Sequence, residues 1–150
     1  MTRRNSILAL LLAFFATFLV SCGNAANVPP PTYTSDQIAQ IQSYADSIQE
    51  MRDRMPELDD LILDKEWQRS MVFIRGPLGD LRRAAKQIAF NALPRDRKAL
   101  DSAATQLFQD LESVDLAVKD RDYYAADSKY QQALRDFDRF LDLVPTEVGS

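Results

Sequence analysis

One side chain in this sequence is placed for a covalent step that its neighbours specify. Cys22 closes Leu19-Val20-Ser21-Cys22, behind Arg3, Arg4 and a 14-residue apolar run from Ile7 to Val20. A basic head, an apolar stretch and a small residue before the cut are the parts of a secretory signal peptide. A cysteine directly after the cut makes it a bacterial lipoprotein signal, the thiol being the point of attachment for a diacylglyceryl group. The expectation is that residues 1–21 are removed and that the mature chain begins at a lipidated Cys22, outside the cytoplasm. The alternative, an uncleaved transmembrane helix, is too short. The run spans about 21 Å as a helix, against a hydrocarbon core of roughly 30 Å.

Little other chemistry is available. Cys22 is the only cysteine and histidine is absent. Once Cys22 is acylated there is no disulfide, iron–sulfur cluster or thiolate metal site to write. Without histidine there is no His-dependent triad, none of the usual zinc sets, no Glu-x-x-His di-iron motif and no Cys-x-x-Cys-His haem attachment. The sequence therefore predicts a non-enzyme with no cofactor, no metal and no small-molecule substrate. Asp53, Glu57, Asp59, Asp60, Asp64 and Glu66 could in principle surround calcium, but they lack the EF-hand spacing and its glycine. They read better as a solvated acidic loop. Tyr123, Tyr124 and Tyr130 read as core and rim rather than a redox relay, and Trp67 as a plug at one end of the core.

Charge is unevenly distributed. The formal net charge of −4 becomes −6 once Arg3 and Arg4 are removed, which argues against a nucleic-acid partner. Yet Arg75, Arg82, Arg83, Lys86, Arg95, Arg97 and Lys98 are accompanied over that span by only Asp80 and Asp96, a local balance of +5. These seven cations are expected to meet at one end of the molecule as a docking patch for an acidic partner or anionic headgroups. The competing explanation is a solvated face with cations near a helix C-terminus, each worth ~0.3–1 kcal/mol.

Helices are the elements that must position these groups. Residues 22–33, with three consecutive prolines, predict an extended tether reaching roughly 30 Å at about 3.1 Å per residue. A folded unit is expected over 34–146, leaving 147–150 as a tail. Thr34 with Gln37 forms a weak capping box. Ile41, Tyr44, Ile48, Met51 and Met55 then recur at alternating spacings of three and four. Pro56 ends or bends that helix. Trp67, Met71, Ile74, Leu78, Leu81, Ala85, Ile88 and Ala92 continue one stripe through Pro77, predicting a second helix kinked at Gly76-Pro77 rather than two helices. Pro94 suits the start of a third helix carrying Leu100, Ala104, Leu107, Leu111, Val114 and Val118. A polar turn over 120–122 precedes a fourth with Ala126, Tyr130, Ala133, Phe137, Phe140 and Val144, closed by Pro145. No stretch alternates like a strand. The fold class is all-α, an antiparallel up-down-up-down four-helix bundle.

The string Val72-Phe73-Ile74-Arg75-Gly76-Pro77-Leu78-Gly79-Asp80-Leu81-Arg82 resembles the PsbQ family, extrinsic subunits on the lumenal side of photosystem II. Residues 130–143, followed by Pro145, resemble that family's last helix, and the similarity covers about 34–145. The lipobox matches the family's cyanobacterial, lipid-anchored branch rather than the plant branch with its transit peptide. The resemblance implies a four-helix bundle in the thylakoid lumen, tethered to the membrane. It further implies a subunit that binds the photosystem II core and other extrinsic subunits, stabilises the oxygen-evolving complex with its calcium and chloride requirement, and supports assembly. Zinc sites in some relatives use histidine and do not transfer to this chain; nor does a calcium association transfer to named residues. Against this stands a generic envelope lipoprotein serving as a scaffold through its basic end. An enzyme or cofactor carrier comes last.

Overall fold

A computed structural model describes residues 30–76 and 78–147. The leader over 1–21, Cys22, the tether as far as residue 29, Pro77 itself and residues 148–150 lie outside that description. Among the described residues there are six helices and no strand. They are α1 (Ser35–Asp53), α2 (Met55–Leu63), α3 (Trp67–Arg75), α4 (Leu81–Asn91), α5 (Pro94–Lys119) and α6 (Tyr123–Asp142). None is long and apolar enough to cross a membrane.

The helices form a bundle around one core. α1 packs against α4 and α6, α5 packs against the same two, and α4 and α6 sit on opposite corners; α2 lies across α3 and α6. Paired residues run in opposite sequence directions. Gln42 donates to the Pro145 carbonyl and Arg52 pairs with Asp138, while Arg75 pairs with Asp115 and Arg82 with Glu112. Fully buried Ile41, Ile48, Leu107, Val114, Phe137 and Phe140 fill the centre, so the apolar spacings of three and four point inward as periodicity requires. In α1 the buried stripe is slightly rotated: Ile38 and Ala45 join it, while Tyr44 and Met51 are only half-buried.

The helix ends follow from local chemistry. Thr34 Oγ1 accepts the Gln37 N–H at 3.2 Å and Gln37 Oε1 accepts the Thr34 N–H at 3.1 Å, a complete capping box. Asp122 Oδ1 accepts the Ala125 N–H at 3.0 Å, capping α6. α2 and α5 end in the same way, with a left-handed residue after the helix: Lys65 at φ 57° and Arg121 at φ 58°. Glu66 N–H reaches the Leu61 carbonyl and Asp122 N–H the Ala117 carbonyl, the long bond of a Schellman motif.

Three sequence expectations need correction. The acid-rich stretch after Pro56 is helix, not loop: Pro56 sits in the first turn of α2, where its missing N–H costs nothing, and Met55, Leu58 and Ile62 point inward. The second helix is two helices, not one kinked rod. α3 stops at Arg75 and α4 begins at Leu81, with Gly76, Leu78, Gly79 and Asp80 in a turn between them. A proline at position 77 has no N–H for the helical ladder and disfavours helical geometry in the residue before it, and two glycines add to the weakness. Finally, Tyr33 belongs to the folded unit rather than to the tether, its ring only 2% exposed.

Candidate docking surface

The break between α3 and α4 leaves an open groove against α5. Its volume is about 240 Å³, floored by Ile74, Leu78, Leu81, Phe108 and Leu111. Two arginines form the rim. Arg75 makes a bidentate pair with Asp115, at 3.2 and 2.9 Å, and Arg82 donates to Glu112 Oε1 at 2.9 Å while lying 4.3 Å over the Phe108 ring. These exposed pairs contribute little to stability, typically about 0–1 kcal/mol each. Their effect is geometric: they hold two guanidinium groups beside an apolar trough. Val72 and Leu116, both largely exposed, extend apolar surface along α3 and α5. The turn is tight. A Cβ on Gly79 would meet the Arg75 and Gly76 carbonyl oxygens at 3.0 and 3.1 Å.

The seven cations do not gather at one end. Arg75 and Arg82 line the groove facing α5, and Arg83 pairs with Asp80 at 3.3 Å beside a polar cleft against α1. Arg97 is a structural residue. Its guanidinium donates to the carbonyls of Ala89, Phe90 and Ala92, each at 3.0 Å, closing the C-terminus of α4. Arg95 lies 3.5 Å from Asp96 and 6.0 Å from the centre of the Tyr33 ring. Lys86 and Lys98 are exposed and enter none of the ion pairs among the described residues. Helical geometry separates the seven because α4 itself runs about 16 Å, at 1.5 Å per residue.

Two buried polar arrangements escaped sequence reading. The Tyr33 hydroxyl donates to Asp96 Oδ2 at 2.7 Å and accepts the Leu93 N–H at 3.0 Å, pinning the chain before α1 to the α4–α5 corner; burial pushes its pKa up. Between α5 and α6, Asp110 is 4% exposed and accepts from Gln106 at 3.0 Å, while Asp136 Oδ2 is buried without a partner. Burial, and then the neighbouring Asp110, push Asp136 up to about 6. Tyr130 is buried under α2, and burial followed by the Asp59 charge pushes it up to about 12. Tyr123 is half-buried and Tyr124 exposed, so the three tyrosines divide between core and rim. Trp67 is likewise half-buried, packed on the core edge. Phe108, Glu112 and Asp115 complete the groove from off-stripe positions of α5. Their spacing of four and three along one face was the available signal.

Residues 1–145 match the PsbQ family, Oxygen evolving enhancer protein 3, and the chain belongs to that family. It is 42% identical over 146 residues to CyanoQ of Synechocystis sp., a comparison covering 97% of this chain and 98% of the relative.

Proposed function

We propose that the protein is a non-catalytic extrinsic subunit of photosystem II, held at the lumenal face of the thylakoid membrane by a lipid on Cys22 after removal of residues 1–21. In this role it stabilises the oxygen-evolving complex and supports assembly. Membership of the PsbQ family across nearly the whole chain carries the proposal. The groove adds a physical basis, because the segment whose residues resemble the family most specifically is the one that breaks the helix and opens the trough. Arg75 and Arg82 are its docking cations, set beside an apolar floor where an acidic, partly apolar partner surface would lose water on contact. Arg83 stands at the neighbouring cleft, and Arg97 supports the corner from within.

Affinity-tagged protein purified from solubilised thylakoids is expected to bring photosystem II core subunits with it. Arg82→Glu should weaken that recovery more at low salt than at high salt, since exposed charges are screened over roughly 10 Å at 0.1 M. Consistent absence of core subunits, or fractionation with the plasma or outer membrane, would point instead to an envelope scaffold.

A further inference from the structure

We infer that the α4–α5 corner is a lipid-facing surface, on which Lys86, Phe90, Arg95 and Lys98 rest against an anionic bilayer. The inference rests on the proposed lipid at Cys22 for its geometry. Tyr33, pinned by Asp96 and Leu93, fixes where the upstream chain leaves the bundle. Tyr33 comes only eleven positions after Cys22. That stretch reaches about 34 Å when extended, and a linker so short holds its two ends at an effective concentration in the mM range. A surface with only weak affinity for the bilayer is therefore engaged when it lies at the tether exit, and this corner does.

The corner's composition fits lipid. Phe90 is 75% exposed, a large aromatic side chain with no place in the core. Arg97 holds the Phe90 carbonyl, fixing the backbone from which the ring projects. Lys86 precedes Phe90 by one helical turn, on the same face of α4. Between Lys86 and Lys98 there are four cations and one acid, Asp96, which is occupied by Tyr33 and Arg95. The C-terminus of α6 meets the start of α5 at Ala99 and Ser102, on the side of α5 away from α4, and its Asp138 is paired with Arg52. An aromatic ring flanked by unpaired lysines suits the headgroup layer, where amphipathic rings settle and each cation adds to binding on an anionic surface.

The test uses the mature chain from residue 22 with Cys22→Ser, so that no acyl chain drives binding. It should sediment with phosphatidylglycerol-rich vesicles, not with phosphatidylcholine alone, and release as salt is added. Lys86→Glu with Lys98→Glu should lower partitioning by about fivefold for each lysine. Phe90→Ser should lower it further, while Lys119→Glu at the far end of α5 changes it least. Equal binding to both lipids, no binding, or indifference to the double substitution overturns the inference. So does a double variant that keeps vesicle binding but loses photosystem II, since that assigns the lysines to a protein partner. The intact mass of the native protein reports the Cys22 lipid separately, so the anchor and the corner can fail independently.

Discussion

The α5–α6 hairpin and the α3–α4 arm bury the same kinds of side chain but enclose them differently. α5 and α6 run 26 and 20 residues without interruption, and Leu107, Val114, Phe137 and Phe140 are fully buried between them and their neighbours. α3 and α4 run 9 and 11 residues, and of the stripe that should be buried, Trp67, Met71 and Ile74 stay half-exposed. An uninterrupted pair of helices closes over the core. An interrupted one leaves a trough beside it, and the trough is where arginines and apolar surface meet. In this bundle the half that encloses the core and the half proposed for docking are different halves.

That contrast predicts unequal costs for one substitution. Phe137→Ala should destabilise by about 3–5 kcal/mol, because the surrounding helices cannot relax into the cavity. Phe73 is also buried, at 6% exposure, but lies in the short α3 beside the break, with the Arg54 guanidinium 5.3 Å from its ring. Phe73→Ala should fall at the low end of that range, about 3 kcal/mol or less, since a short helix beside an open groove can shift inward. Urea denaturation of both variants checks this. Equal costs would mean that the break does not soften the arm.

Tyr33→Phe probes how the chain before α1 is held to the α4–α5 corner. It removes the acceptor of the Leu93 N–H and the donor to Asp96 in one step, at an expected cost of about 1–3 kcal/mol. Proteolysis near residue 33 should accelerate in parallel. If stability falls without faster cleavage, Tyr33 is a core residue and not the point where the chain is pinned.

What could be read from sequence follows the same division. The stripes of α5 and α6, Pro94 at the start of α5 and the polar turn over 120–122 are one-dimensional signals, and all appear where periodicity and turn chemistry place them. The acidic segment hides its helix because three acids, Glu57, Asp59 and Asp60, lie among the three residues that bury, Met55, Leu58 and Ile62, and 9 residues are too few to show the period. The α3–α4 break was misread because an apolar stripe can keep register across a turn, so spacing alone does not tell a kink from an end. The basic patch failed for a third reason. Charge counted along sequence says nothing about which cations face α1, which face α5 and which, like Arg97, turn back onto their own backbone.

The hairpin has one polar flaw, and pH should expose it. Asp136 meets Asp110 across the α5–α6 contact, with Gln106 on α5 and Arg135 and Arg139 on α6 as the other polar groups around it. Its folded pKa, about 6, stands above the 3.8 of an ordinary aspartate. The folded state therefore binds the proton more tightly. The stabilisation is complete below the unfolded value and is lost as pH rises through about 6. Asp136→Asn keeps a donor for Asp110 at every pH. Relative to the parent it should gain thermal stability as pH rises from 4.5 to about 6 and hold that gain to 7.5, where both states are deprotonated. A constant difference across that range would mean that the two carboxyls do not share a proton.

The smallest effect concerns a helix ending that the hairpin shares with α2, the helix just before the arm. α2 and α5 both end in Schellman motifs, and in both the left-handed position carries a side chain, Lys65 and Arg121, where glycine is usual. A left-handed residue with a Cβ costs roughly 1–2 kcal/mol, while glycine gives back part of that through its freer unfolded chain. Arg121→Gly should thus stabilise by about 0.5–1 kcal/mol. Lys65→Gly should gain less, because Lys65 also reaches to 5.9 Å from the Tyr123 ring and loses that contact. Thermal denaturation of the two variants side by side separates the terms: the turn geometry is shared, so a larger gain at Arg121 isolates the cation–aromatic contact. A larger gain at Lys65 would show that this contact contributes nothing and that the two turns differ in their backbone alone.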